Sequence, residues 1–136
     1  MDTINICLVL GLIVHFSFIL AYKKIRNRKV YLSLLSISTF IALIGFLLRN
    51  QPYLKSGEIN ASVFFYLPLL SLLYLGFFRL FFQEIFGKEP LMTKPNEFNW
   101  DQGEYRRLHF GDLLFTFFTM LGPIFTAAII NNLFYT

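Results

Sequence analysis

Lys23-Lys24-Ile25-Arg26-Asn27-Arg28-Lys29 places five cations within seven residues, between two apolar runs that carry no charge, Ile4–Tyr22 and Val30–Leu48. Two more such runs follow, Val63–Phe82 and Leu113–Phe134. Each has roughly the 17 to 25 residues that a helix needs to cross a hydrocarbon core about 30 Å thick. The short cationic stretch is then a loop between membrane spans, and the charge of every other loop can be compared with it.

That comparison sets an orientation. The third loop carries Lys88, Lys94, Arg106 and Arg107, and Arg79 closes the span before it, whereas the second loop holds only Arg49 and Lys55. Cations crowded into alternate short loops mark the inner side of a polytopic helical protein. The first and third loops are therefore expected inside, and the second loop and both termini outside. No basic region precedes the first apolar run and no small-residue cleavage site follows it, so that run is expected to be retained as a span rather than removed as a signal peptide.

Composition agrees with this class. Of 136 residues, 56% are hydrophobic and 15% charged, against about a quarter charged in an ordinary soluble domain. Within a bilayer the backbone must satisfy its own hydrogen bonds, which leaves helices or a closed barrel. Ten-residue alternating strands are absent, so the expected fold is all-α: one domain, 1–136, of four transmembrane helices in an antiparallel bundle, with spans at about 4–22, 30–48, 63–82 and 113–134. The net charge of +4 sits beside the spans, where cations attract anionic headgroups, so nucleic-acid binding is not expected. Cys7 is the single cysteine, which rules out an intramolecular disulfide and a thiolate metal cluster.

Finer features follow from spacing. Ser38, Ala42 and Gly45 form a small-residue stripe that lets another helix approach. Asn60-Ala61-Ser62 reads as a glycosylation sequon, and is taken as accidental. The third span is expected to run on as helix to Phe86, capped by a left-handed Gly87. Pro90 and Pro95 keep the start of the loop at about 87–111 extended. Asp101-Gln102-Gly103-Glu104 resembles a capping box, opening an interfacial helix that turns Trp100, Tyr105 and Leu108 toward lipid.

Polar groups inside spans are functional candidates by default. His15 lies in the middle of the first span, available as hydrogen-bonding glue or as a proton relay. Arg79 lies near the end of the third, where it either snorkels to the headgroups or pairs with a carboxylate. In the fourth span Asp112, Thr116, Thr119, Pro123 and Thr126 recur at spacings of 4, 3, 4 and 3, a polar stripe suited to helix packing or to a solute path. His109 and Asp112, three apart, share a helical face, as do Glu104 and Arg107. No Gly-rich phosphate loop, HExxH motif or nucleophile turn accompanies them, so catalysis is not the expected role, and no cofactor or metal is assigned.

The expected function is that of a non-catalytic membrane module that docks on other membrane proteins, as an accessory subunit or a small regulatory or neutralising binder. Its partners are the lipid bilayer and other integral membrane proteins or further copies of itself, by default in a bacterial inner membrane. Arg79, Trp100, Tyr105, Arg106, Arg107, His109 and Asp112 are the partner-binding candidates, aromatic and arginine side chains being enriched at interface hot spots. The alternative is a small oligomeric transporter or channel that uses His15, Thr116, Thr119 and Thr126.

Overall fold

A computed structural model describes residues 2–93 and 109–135. The capping box at Asp101–Glu104, the interfacial helix, and Trp100, Tyr105, Arg106 and Arg107 lie outside them. The described chain is mostly helical. In order it comprises α1 (Thr3–Leu20), a one-turn α2 (Tyr22–Ile25), α3 (Arg28–Leu48), a 3-10 turn (Pro52–Leu54), a two-stranded hairpin β1 (Lys55–Ser56) and β2 (Ile59–Asn60), a 3-10 helix (Ala61–Tyr66), α4 (Leu67–Phe86) and α5 (Phe110–Phe134). Four helical stretches are long and apolar enough to cross a membrane: Thr3–Leu20, Arg28–Leu48, Ala61–Phe86 and Phe110–Phe134.

Local chemistry explains the boundaries. The first loop is not a bare turn. Tyr22–Ile25 form one helical turn with Tyr22 and Ile25 buried, and Asn27 then caps α3 by accepting from the Lys29 amide at 2.9 Å. The third span starts earlier than its apolar run. Asn60 caps it, accepting from the Ser62 amide at 3.0 Å, and Pro68 sits in the first turn of α4, where a missing amide proton costs little. α4 ends as expected: Gly87 has φ 62° and its amide returns to the Gln83 carbonyl at 2.8 Å. α5 begins at Phe110, three residues before its apolar run, because His109 and Asp112 cap it.

The third span occupies the centre, touching each of the other three. α1 and α3 pack chiefly on it rather than on each other. In lipid, helices gain nothing from hiding apolar surface from one another and associate through close packing. Ser38, Ala42 and Gly45 are accordingly the buried residues of α3. A Cβ on Gly45 would lie 2.5 Å from the Phe65 Cβ and 3.0 Å from the Ser62 carbonyl oxygen, so α3 meets the 3-10 stretch backbone to backbone. The side chains facing out are the reverse kind: Leu47 is 76% exposed and Phe40 65%, while Ser38 is 2%. Large apolar groups outside and small residues inside invert the pattern of a soluble helix and suit a surface bathed in hydrocarbon.

Asn60, the sequon residue, is 1% exposed. Its side-chain amide donates to the Arg49 carbonyl at 2.8 Å, and its backbone amide to Asn131 Oδ1 at 2.9 Å. Asn131 also donates to the Glu58 carbonyl at 2.8 Å. The hairpin is thereby fastened to the last turns of α5, and the sequon nitrogen is occupied.

Candidate functional site

The polar stripe of the fourth span faces inward. Its partner is a short extended segment, Pro90–Thr93, of which Pro90, Leu91 and Met92 are fully buried. A buried non-helical backbone must find hydrogen-bond partners outside itself. Asp112 Oδ1 accepts the Leu91 amide at 2.8 Å and Thr116 Oγ accepts the Thr93 amide at 2.9 Å. The Tyr22 hydroxyl, from the far side, donates to the Pro90 carbonyl at 3.0 Å. Thr116 passes its own proton to the Asp112 carbonyl, and Thr119 donates to the Phe115 carbonyl at 2.7 Å.

Asp112 does a second job. Its Oδ2 accepts the His109 amide at 2.7 Å, while His109 Nδ1 accepts the Gly111 amide at 3.1 Å, so the two residues cap α5 together. A carboxylate in the first turn also meets the positive end of the helix dipole. The His109–Asp112 pair read from the sequence is thus brought together, with Asp112 0% exposed.

His15 is likewise 0% exposed. Its Nε2 lies 2.9 Å from the Met120 carbonyl and its Nδ1 lies 2.6 Å from Ser71 Oγ. A carbonyl only accepts, so Nε2 carries the proton in its bond to Met120, and the single hydroxyl proton of Ser71 is shared between Nδ1 and the Leu67 carbonyl. Ser71 Oγ is also 2.6 Å from the Leu67 carbonyl. The network therefore ends at both sides on backbone carbonyls, which do not relay protons, and it ties α1 to α4 and α5. Thr126 Oγ pairs with the Tyr74 hydroxyl at 2.8 Å, beside Phe78 and Phe118 stacked at 5.2 Å, and so joins α4 to α5.

Arg79 is paired. Its Nε and Nη2 grip Glu89 at 2.9 and 2.5 Å, and its Nη1 donates to the Arg26 carbonyl at 3.2 Å. The left-handed turn at Gly87 folds Glu89 back toward the helix that bears Arg79. Such a fork holds a guanidinium in one orientation. Around it, α2, the start of α3 and the middle of α4 form a half-open cavity of about 510 Å³ lined in part by Arg26, Arg28, Tyr31 and Arg79. Residue-by-residue reading of the sequence gave no sign of this cavity, because its walls come from three separate segments.

Among the described residues no three His, Cys, Asp or Glu side chains converge as metal ligands. Comparison with known protein families, with characterised proteins and with solved structures finds no match to this chain.

Proposed function

We propose that this chain crosses a membrane four times, with the end bearing Arg26, Arg28 and Arg79 inside and both termini outside, and serves there as a non-catalytic module that docks on other integral membrane proteins. A bacterial inner membrane is the proposed setting. One observation carries the reading: His15 and the polar stripe of the fourth span are spent on the chain's own groups. His15 is closed by Ser71 and Met120, Thr116 and Asp112 by the Pro90–Thr93 backbone, and Thr126 by Tyr74. A solute path needs polar groups turned toward water; here they are turned toward neighbouring backbone. The apolar surface of the helices is open to outside contact, and Trp100, Tyr105, Arg106 and Arg107 are residue types that favour interfaces.

The test is a pair of measurements on one preparation. Purified protein in liposomes should pass no ions or protons above the empty-vesicle rate. Protein taken from native membranes in mild detergent should carry a stoichiometric membrane-protein partner, lost on Trp100→Ala or Arg106→Ala. Flux abolished by Thr119→Leu or Thr126→Leu would establish the transporter alternative instead.

A further inference from the structure

The end of the bundle opposite Arg79 holds another cavity. The last turns of α3 and α5, with Tyr66 and the first turn of α4, line a half-open space of about 620 Å³. Its volume lies within the range of small-molecule sites, about 300 to 1,000 Å³. Leu69, Leu70 and Ile130 form apolar walls, and Arg49, Tyr66 and Tyr135 supply polar groups. Arg49 closes α3 in helical conformation, and helical side chains lean back toward the N-terminus. Its guanidinium accordingly turns back along the span and lies over the Phe46 ring, 3.9 Å from the centroid. The backbone beneath it is pinned, because the Asn60 side chain donates to the Arg49 carbonyl at 2.8 Å.

Unmatched donors select the occupant. Among the described residues the Arg49 guanidinium forms neither an ion pair nor a hydrogen bond, so its charge and its five N–H groups are open. The Tyr66 and Tyr135 hydroxyls meet at 2.6 Å. Whichever of them donates, the proton of the other has no acceptor among the described residues. Water would satisfy these donors but would also wet the apolar walls. A free phosphate would leave the same walls bare. A diacylglycerol would cover them but bring no charge to the arginine. An arginine fork fits a phosphate through parallel N–H bonds, so the ligand that meets both demands is a phosphate carrying hydrocarbon chains.

We propose that this cavity binds one phospholipid, its phosphate held by Arg49 and by the spare phenol hydroxyl of the Tyr66–Tyr135 pair, and an acyl chain laid against Leu69, Leu70 and Ile130. The site rests on the membrane-spanning reading above, under which Arg49 lies at headgroup depth on the outer side. A lipid held there bridges α3 and α5, each of which packs on the third span.

The experiment uses the full chain in a neutral detergent, with its thermal unfolding midpoint followed as phosphatidylglycerol, diacylglycerol or inorganic phosphate is added. Phosphatidylglycerol should raise the midpoint saturably, and the other two should not. A cation near a membrane surface is worth about fivefold in affinity, so Arg49→Gln should weaken the response by about that factor. Lys55→Gln removes the same charge from the same end, but Lys55 lines a different cavity, and the response should stay nearly unchanged. Equal weakening by both variants would show general surface attraction and overturn the site. An equal response to diacylglycerol, or to inorganic phosphate, would overturn it as well. Should Arg49→Gln not fold, native mass spectrometry of the unmodified chain decides. One retained phosphatidylglycerol in preference to diacylglycerol supports the site, and no preference overturns it. A chain absent from the membrane fraction would instead contradict the four-span reading itself.

Discussion

Leu91 and Asp112 are joined by a 2.8 Å hydrogen bond from the leucine amide to the aspartate Oδ1, both residues being 0% exposed. The bond explains why a carboxylate stands at the head of the fourth span. It receives the backbone of a segment that has entered the bundle without helical bonds of its own.

Replacing Asp112 should therefore unfold this corner. Asp112→Leu leaves the Leu91 and His109 amides without their acceptor, and each buried orphan costs about 1 to 3 kcal/mol. A combined loss of about 2 to 5 kcal/mol is expected in denaturant unfolding in mild detergent. Asp112→Asn keeps one carbonyl oxygen and should lose less. Equal stability of Asp112→Leu and the unmodified chain would contradict the docking of Pro90–Thr93.

Gly76 and Tyr31 should behave as a coupled pair. A Cβ on Gly76 would lie within contact of the Tyr31 hydroxyl, which donates to the Leu72 carbonyl at 2.9 Å. Gly76→Ala should destabilise by about 1 to 3 kcal/mol through overpacking, and Tyr31→Phe by about 1 kcal/mol through the lost hydrogen bond. Because both act on one contact, the double variant should cost less than the sum, read from a double-mutant cycle. Strict additivity would mean that the two residues do not touch.

Arg79 and Glu89 are 29% and 19% exposed at their side chains, so their pair is partly screened. A coupling of only about 1 kcal/mol is expected. Arg79→Lys should not restore it, since an ammonium cannot span both carboxylate oxygens. Full recovery by lysine in the same unfolding assay would show that charge alone matters.

His15 should matter for assembly of the bundle rather than for transport. His15→Leu removes the bonds to Ser71 and to the Met120 carbonyl, and should cost about 1 to 3 kcal/mol, in keeping with modest intramembrane hydrogen bonds. Ser71→Ala should cost less, because the ring keeps its bond to Met120. A His15→Leu chain of unchanged stability would contradict the packing role.

Much of this architecture is legible in the amino-acid sequence, for physical reasons that can be named. The four long helices are apolar runs of membrane-crossing length, which few other structures use. The Ser38–Ala42–Gly45 stripe and the Asp112–Thr126 stripe follow from helical spacing, and both face inward. The Gly87 cap follows from the need for positive φ after a long helix. The sequence was less informative wherever tertiary contact decides the outcome. Pro90–Thr93 reads as extended loop, which it is, but nothing local announces that Leu91 and Met92 are buried. The nearest signal is a Leu-Met pair close to a proline, followed later by a carboxylate at a span's head. The Arg79–Glu89 pair spans ten residues across a turn and needs the Gly87 geometry to be seen. The start of the third span as a 3-10 helix at Ala61 is set by the Asn60 cap and by the close approach of Gly45, not by any run of apolar residues.

The central claim, that this is a docking module with a closed interior, is tested most directly by the size and composition of its native assembly. Membranes that produce the chain at its natural level would be dissolved in mild detergent and resolved by native electrophoresis with mass spectrometry of the band. The account predicts a defined complex that contains this chain and a second integral membrane protein in fixed ratio. A chain that migrates alone, or only with copies of itself, and conducts solute through vesicles would contradict it.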